Sequence, residues 1–154
     1  MAKKEKTLIL VKPDGVQRGL IGNIVNRFES KGLKMIGLKM MRLDDVLLDA
    51  HYVHLAKEPF FGEIKDFMKS SPIVAMVWEG GEGAVAAARI LVGPTKGHEA
   101  PAGTIRGDYG LSGSNNIVHA SDSVKNGQEE VGRFFDEPEL FDYEKTESIH
   151  VYGQ

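Results

Sequence analysis

Hydrophobic residues in the first part of the chain alternate between short continuous runs and helical spacing. The run TLILV at residues 7–11 stops at a Lys-Pro-Asp-Gly sequence, which predicts a buried strand that ends in a turn. From Ile21 to Phe28 apolar residues recur every three or four positions, and Gly32 follows. That spacing predicts an amphipathic helix with a glycine at its C-terminal end.

The same criteria predict a series of elements up to residue 91. An apolar stretch with spaced lysines favours a strand, and an aspartate before the next apolar residues favours a helix N-cap. Pro59 ends the helix that follows this cap. In chain order we predict a strand over 33–43, a helix capped by Asp44 or Asp45, a short helix over 61–68, a strand over 73–78 and a helix over 82–91.

The region from Gly93 to Asn115 interrupts this pattern with six glycines and two prolines in 23 residues. Such a long irregular stretch inside a domain is usually functional or disordered. Residues 117–118 then predict a short strand, residues 122–135 predict a helix, and the tail from Asp136 has no strong pattern. Few, short strands separated by helices predict an α+β fold with one mostly antiparallel sheet covered by helices.

The composition is typical of a soluble globular protein and narrows the possible functions. The 154 residues match one domain, 42% of them are apolar, and the formal net charge is −3. That charge argues against a surface built for nucleic acid, although it permits a local basic pocket. The chain has no cysteine, so disulfides and thiolate nucleophiles are excluded. Because no apolar run is long enough for a signal peptide or a membrane span, the sequence predicts a cytoplasmic protein without membrane contact.

The segment NIVHASDS at 116–123 places His119 between a predicted strand and a predicted helix. On position alone, His119 fits either a hydrogen-bonded structural side chain or a reactive one. Free backbone amides at a helix start attract anions, which favours the reactive interpretation. A metal site is less favoured, because His51 and His54 are three residues apart but the five histidines form no compact ligand pattern.

Glu130 lies eleven residues after His119, about two turns into the predicted helix. From there it can turn back to hold one imidazole nitrogen and leave the other lone pair free as a nucleophile. The alternative for Glu130 is a solvated side chain, like its polar neighbours Gln128 and Glu129.

Three cations add to this picture, although each alone fits an ordinary surface charge. They are Lys12 after the first strand, Arg89 in the alanine-rich helix and Arg106 in the glycine-rich region. Together with a histidine nucleophile they fit phosphoryl transfer, in which positive charge stabilises the oxygens of the moving group. Neither glycine-rich nucleotide motif, GxxxxGK[ST] or GxGxxG, occurs around Lys12.

Five segments of the chain together resemble the nucleoside diphosphate kinase family. They occur in the same order and at the same spacing as in that family, and the resemblance extends from Thr7 to Tyr152. They are VKPDGVQRGLIG, HYVHLAKEPFF, PIVAMVWEG, GTIRGDYG and NIVHASDS. The resemblance implies one domain over residues 1–154, with a ferredoxin-like fold. It implies ping-pong transfer of the γ-phosphate of a nucleoside triphosphate, typically ATP, to a nucleoside diphosphate through a phosphohistidine. It also implies a Mg²⁺ cofactor, held mainly by nucleotide phosphates and water, and a homo-oligomer, either hexamer or tetramer.

The resemblance assigns a role to each matching residue of this sequence. His119 is the phosphorylated histidine, Glu130 orients it, and Tyr52 and Ser121 lie around it. The nucleotide contacts are Lys12, Arg89, Thr95 and Arg106 on the phosphates, Asn116 with Lys12 on the sugar 3′-hydroxyl, and Phe60 and Ile64 at the base, while Asp122 reaches Mg²⁺ through water at most.

Several positions depart from the usual pattern of the family. The usual Gly-Arg-Asn before the histidine is Ser114-Asn115-Asn116, and alanine replaces glycine at Ala120. Isoleucine replaces leucine at residue 64, one residue is inserted between 81 and 88, and Gly97 stands where proline is common. None of these changes removes a catalytic group.

Two other functions compete with the kinase at this point. One is a nucleotide- or nucleic-acid-binding oligomer that keeps the fold with weak or lost turnover, and the other is an oligomer whose main role is partner binding. The intact His119, Lys12, Arg106 and Glu130 favour the kinase.

Overall fold

The computed structural model describes residues 3–153, and its strands and main helices follow the predicted order. The four strands of its sheet are β1 (Glu5–Val11), β2 (Lys34–Met41), β3 (Ile73–Gly80) and β4 (Val118–Ala120). The strand order is β2-β3-β1-β4, and every neighbouring pair is antiparallel. The predicted α+β class with a ferredoxin-like, four-stranded antiparallel sheet is therefore confirmed.

Helices of very different length connect the strands. The α-helices are α1 (Pro13–Gln17), α2 (Ile21–Lys31), α3 (Asp45–His51), α4 (Phe61–Lys69), α5 (Ala84–Val92), α6 (Ile105–Tyr109), α7 (Val124–Phe134) and α8 (Ser148–Tyr152). Short 3₁₀ turns occur at Val53–Leu55, Gly97–Glu99 and Glu137–Glu139. No helix within residues 3–153 has the length and apolar character needed to cross a membrane.

Both faces of the sheet are buried, which explains why β1 and β3 have continuous apolar sequences. Ile9 and Val11 of β1 point to one core, which α2, α5 and α6 cover, whereas Leu8 and Leu10 point to the other, which α3, α4 and α7 cover. Side chains alternate between faces along a strand. Since His119 pairs with Leu10, it lies on the α3/α7 face of the sheet.

Local chemistry accounts for several of the observed helix ends. Asp44 caps α3, because its side chain accepts a hydrogen bond from the Leu47 amide at 2.8 Å. Gly32 ends α2 at φ = 102°, a left-handed conformation that glycine adopts without strain. The Glu5 carboxylate accepts from the amides of Gly83 and Val85, both at 3.0 Å, and so caps α5.

Some predicted boundaries are wrong. The Pro-Asp-Gly sequence opens the short helix α1 rather than a simple turn, because proline is well suited to the first position of a helix. The last strand is Val118–Ala120 rather than 117–118, and α7 begins at Val124 with Ser123 as its cap rather than at Asp122. The glycine-rich region contains α6, and the tail contains α8.

Candidate active site

Two adjoining cavities of about 560 and 550 Å³ form one cleft at the C-terminal end of β1 and the N-terminal end of β4. Lys12, Tyr52, Thr95 and Asn116 line both cavities and therefore form the middle of the cleft. One end is polar and the other is apolar. The polar end contains Arg89, Arg106, His119, Asp122 and Glu130, and the apolar end contains Phe60, Ile64, Phe67 and Met68.

The backbone before His119 has an unusual conformation. Ile117 has φ = 76°, in the left-handed region that β-branched residues rarely adopt. Its amide donates to Oδ2 of Asp14 at 3.0 Å, and its carbonyl accepts from the Lys12 amide at 2.8 Å. These contacts from the segment after β1 hold the strained residue, and they fix the point at which the chain enters β4 and presents His119.

His119 and Glu130 form a hydrogen bond between Nε2 of the imidazole and Oε1 of the carboxylate. Glu130 is only 7% exposed, so its side chain is not the solvated one that its polar neighbours suggested. Burial lowers the pKa of His119, and the positive charges of Lys12, Arg106 and Arg89 lower it further. The imidazole is therefore neutral at pH 7, and a proton on Nε2 leaves the lone pair on Nδ1.

Burial raises the pKa of Glu130, while His51 and a hydrogen bond from Ser121 act in the opposite direction. Ser121 is the one predicted site residue that does not line the cleft. Its side chain is buried, and its Oγ accepts a hydrogen bond from the Leu8 amide of β1 at 3.0 Å. Ser121 thus connects the Glu130 carboxylate to strand β1 from outside the cleft.

Arg106 is buried in the structure, although the sequence placed it in an irregular region. Its guanidinium donates to three backbone carbonyls, those of Asn116 (3.1 Å), Gly93 (3.1 Å) and Val118 (2.6 Å). A guanidinium has five N–H donors, so two remain for a ligand in the cleft. Burial and the charge of Arg89 lower the pKa of Arg106 to about 10, which leaves it charged at pH 7.

Lys12 and Asn116 meet in the middle of the cleft. Nζ of Lys12 donates to Oδ1 of Asn116 at 2.8 Å, and the Asn116 amide donates to the carbonyls of Thr95 and Gly113. Burial, followed by repulsion from Arg106, lowers the pKa of Lys12 to about 8. Arg89 completes the set of cations and donates to the Ala120 carbonyl at 3.2 Å.

Tyr52 lies between the two ends of the cleft. Burial, and then the charge of Glu130, raise the pKa of its hydroxyl to about 12, so the group keeps its proton. At the apolar end Phe60 is 43% exposed, more than a core aromatic would be, and Ile64 is half-buried beside it. Phe60 and Ile64 therefore provide a flat, accessible apolar surface at the opposite end of the cleft from His119.

The structure adds residues that the sequence did not single out for this site. His51 packs against His119 with ring centroids 4.6 Å apart, and Arg133 contacts His51. Asp14, which holds Ile117, also contributes to the electrostatics, since its charge raises the pKa values of Lys12 and Arg106. The sequence offered one indication of His51, namely its position in the HYVH segment. Only the packing of α3 on α7 shows that His51 lies beside His119.

Two departures from the family pattern acquire a physical explanation. The side chain of Ala120 packs in the core with 3% of the residue exposed, so the extra methyl group adds buried apolar contact. A Cβ atom on Gly97 would lie 2.5 Å from the carbonyl carbon of Gly110, so glycine is required there in this chain. Nothing in the structure explains Ser114 and Asn115, which lie at the rim of the apolar end.

Comparisons with a family model and with individual proteins all point to one family. The family model for nucleoside diphosphate kinase matches residues 5–140. The chain is 50% identical over 153 residues to the nucleoside diphosphate kinase of Natronomonas pharaonis, covering 99% of each. It is 49% identical over 148 residues to that of Bacillus anthracis, covering 96% of this chain and 99% of the relative.

A solved structure gives the same result. The nucleoside diphosphate kinase of Halobacterium salinarum in complex with CDP superposes with a TM-score of 0.93 at 47% identity, covering 97% of this chain and 99% of that one. The fold and cleft are those of a nucleotide phosphotransferase. The chain belongs to the nucleoside diphosphate kinase family. Its activity is phosphate transfer between nucleoside triphosphates and diphosphates, and enzymes of this class generally need a divalent cation.

Proposed function

We propose that the kinase reaction proceeds by a ping-pong mechanism through a phosphohistidine on Nδ1 of His119. The observation that carries this proposal is the His119–Glu130 hydrogen bond in a cleft lined by Lys12, Arg89 and Arg106. Because Glu130 accepts from Nε2–H, the Nδ1 lone pair is the one available for attack.

In the first half-reaction, Nδ1 of His119 forms a bond to the γ-phosphorus while the bond from that phosphorus to the bridging oxygen breaks. The nucleoside diphosphate leaves with the electrons of the broken bond. The imidazole gains positive charge, which the Glu130 carboxylate stabilises at Nε2–H. A second diphosphate then attacks the phosphohistidine by the reverse route and leaves as a triphosphate.

The cleft suggests where the nucleotide binds. We assign the phosphates to the polar end, where Arg89, Arg106 and Thr95 face the cavity. The sugar 3′-hydroxyl belongs in the middle, where Lys12 and Asn116 present a donor and an acceptor. The base belongs between Phe60 and Ile64 at the apolar end. Stacking that makes no contact with base edges would let the cleft accept several bases.

We propose Mg²⁺ as the divalent cation. Mg²⁺ prefers oxygen ligands and keeps several waters, and it binds proteins through one or two carboxylates plus substrate phosphates. Asp122 fits this requirement, since it is an exposed carboxylate on the wall of the polar end. Bound with the nucleotide, Mg²⁺ would neutralise part of the phosphate charge, and Asp122 would contact it through water.

We further propose that residues 1–154 form one kinase domain and that the chain assembles as a homo-oligomer, either hexamer or tetramer. Leu38 and Met40 on edge strand β2 are 54% and 60% exposed, and Leu111 is 84% exposed, which supports burial against other subunits. A molar-mass measurement by light scattering decides between six chains and four, and a monomer would contradict the proposal. The cytoplasmic location and the lack of specific nucleic-acid binding stay predictions.

Labelling with γ-³²P ATP and Mg²⁺ tests the mechanism. After removal of nucleotide, we expect label on the protein that is stable in alkali, is lost in acid and transfers to added diphosphate. His119→Ala should abolish this labelling, while His150→Ala, a change at an exposed histidine of α8, should not affect it. Labelling of the His119→Ala variant at the normal rate would contradict the mechanism. Nucleotide binding without any labelling would instead favour the alternative of a binding module with lost turnover.

A further inference from the structure

His51, the last residue of α3, is a buried histidine beside the reacting pair that the proposed mechanism does not use. The residue is 6% exposed. Its ring meets the His119 ring edge to face, with centroids 4.6 Å apart and an interplanar angle of 75°. One nitrogen of each histidine and a carboxylate oxygen of Glu130 all lie within 4.8 Å of one another. His51 is therefore close enough to influence both groups.

Arg133 fixes the tautomer of His51. Nη1 of Arg133 lies 3.2 Å from Nδ1 of His51. Since an arginine is always protonated and has no acceptor, Nδ1 of His51 must accept this hydrogen bond. The ring is neutral, because burial lowers its pKa to about 3, although the charge of Glu130 acts in the opposite direction. The single ring proton of His51 is therefore on Nε2.

That Nε2–H has an unusual environment. The atom is buried and has no hydrogen-bond partner within residues 3–153. Proteins rarely leave a buried donor without a partner, because water satisfies the same donor in the unfolded chain. The Glu130 carboxylate is the anionic acceptor of the three-residue cluster, and one of its oxygens lies within 4.8 Å of a ring nitrogen of His51.

A metal ion is a weaker explanation for the same cluster. Two histidines and one carboxylate are a donor set that zinc uses. A metal on Nε2 of His51 would, however, force the ring proton onto Nδ1. The N–H of His51 would then point at the N–H of Arg133, which cannot accept it. Arg133 thus favours a proton on Nε2 over a metal.

We propose that His51 is a positioning residue for phosphoryl transfer: its Nε2–H supports the Glu130 carboxylate, and its ring edge fixes the plane of the His119 imidazole. This inference rests on the proposed roles of His119 and Glu130. As His119 bonds to phosphorus, its ring becomes positive, and Glu130 must keep its negative charge toward Nε2–H of His119. A neutral donor supports that charge without placing a second cation beside the ring.

Single-turnover phosphorylation of the full-length protein by Mg²⁺-ATP tests this role with two substitutions. His51→Phe keeps an aromatic ring but removes the donor and the contact with Arg133. His51→Gln keeps an N–H at about the position of Nε2. We expect His51→Phe to slow phosphorylation roughly 10–100-fold, by analogy with the residues that orient metal-bound histidines. The Kd for ADP should change by less than about twofold. His51→Gln should restore most of the rate, and His150→Phe, at an exposed histidine, should match the wild type.

Three results would overturn the inference. The first is a wild-type rate for His51→Phe. The second is an equal loss in folded His51→Gln and His51→Phe, which would show that the donor has no effect. The third needs no variant: ¹⁵N NMR of the wild type should show the Nε2–H tautomer of His51, and an Nδ1–H tautomer would contradict it. Failure of the underlying mechanism is distinguishable, because the wild-type protein itself would then form no phosphohistidine.

Discussion

Lys12 donates a hydrogen bond to the side chain of Asn116 at 2.8 Å, across 104 residues of sequence. The contact connects the end of β1 to the segment before β4. It also holds the glycine-rich region in place, since the Asn116 amide binds the carbonyls of Thr95 and Gly113. One asparagine therefore organises the middle of the cleft, and it orders the lysine before any nucleotide arrives.

Asn116→Ala should therefore weaken nucleotide binding. Hydrogen bonds to charged groups contribute about 1.5–3 kcal/mol, so we expect the Kd for ADP to rise roughly tenfold or more. Titration calorimetry with Mg²⁺-ADP measures the change. Asn23→Ala, an exposed asparagine of α2, serves as the matched control and should bind as the wild type does. An unchanged Kd for Asn116→Ala would remove the residue from the binding site.

Nucleotide affinity should depend on pH through Lys12. The pKa of this lysine in the free protein is about 8, so the cation is present below that pH and is lost as the pH rises through it. Bound phosphate favours the cation and raises the pKa, so binding above pH 8 must take up a proton. We expect the affinity to fall by up to about tenfold per pH unit above 8.

Calorimetry in buffers of different ionisation enthalpy measures this proton uptake directly. Lys12→Arg provides the control, because an arginine at this position keeps its charge and should give a flat pH profile, with a weaker affinity from its different shape. A wild-type profile that is flat from pH 7 to about 9 would contradict the lowered pKa of Lys12.

Ser121→Ala should lower stability more than a surface substitution does. The Ser121 hydroxyl accepts from the buried Leu8 amide at 3.0 Å, and its removal leaves that amide without this partner. We expect a loss of about 1–3 kcal/mol in the free energy of unfolding, measured by urea denaturation. Ser30→Ala at an exposed position of α2 should change it by less than about 0.5 kcal/mol. Equal effects of the two substitutions would refute the role of Ser121.

Gly97→Pro, which introduces the residue common in the family, should destabilise this protein. A Cβ atom at Gly97 would come within 2.6 Å of the Gly110 carbonyl oxygen, and proline would also remove the amide that donates to Ser112 at 3.3 Å. We expect a loss of at least about 2 kcal/mol. Gly97→Ala should show the steric part alone.

Gly132→Ala on α7 is the control, since a Cβ there meets no atom within 4 Å and alanine favours helix by about 1 kcal/mol. Thermal unfolding of the three variants separates these effects. A Gly97→Pro variant as stable as the wild type would mean that the segment around Gly110 moves aside without cost.

Much of the fold was predictable because it depends on short-range patterns. The apolar runs of β1 and β3, the spacing of α2 and the Asp44 cap follow from local burial and backbone geometry. The boundaries near β4 were not predictable. The left-handed Ile117 is stabilised by Asp14 and Lys12, which lie over a hundred residues away, and no local signal encodes that contact.

For the site, the sequence by itself determined which chemical groups are present: His119, Glu130 and the cations in a family order. Only the tertiary structure decided their protonation states, tautomers and orientations. Packing of α7 on the sheet buries Glu130 and sets its bond to His119, and packing of α3 brings His51 and its orphan N–H to the same pair. The physical reason is that protonation, tautomer and ring orientation depend on burial and on neighbours distant in sequence, whereas residue type and local spacing do not.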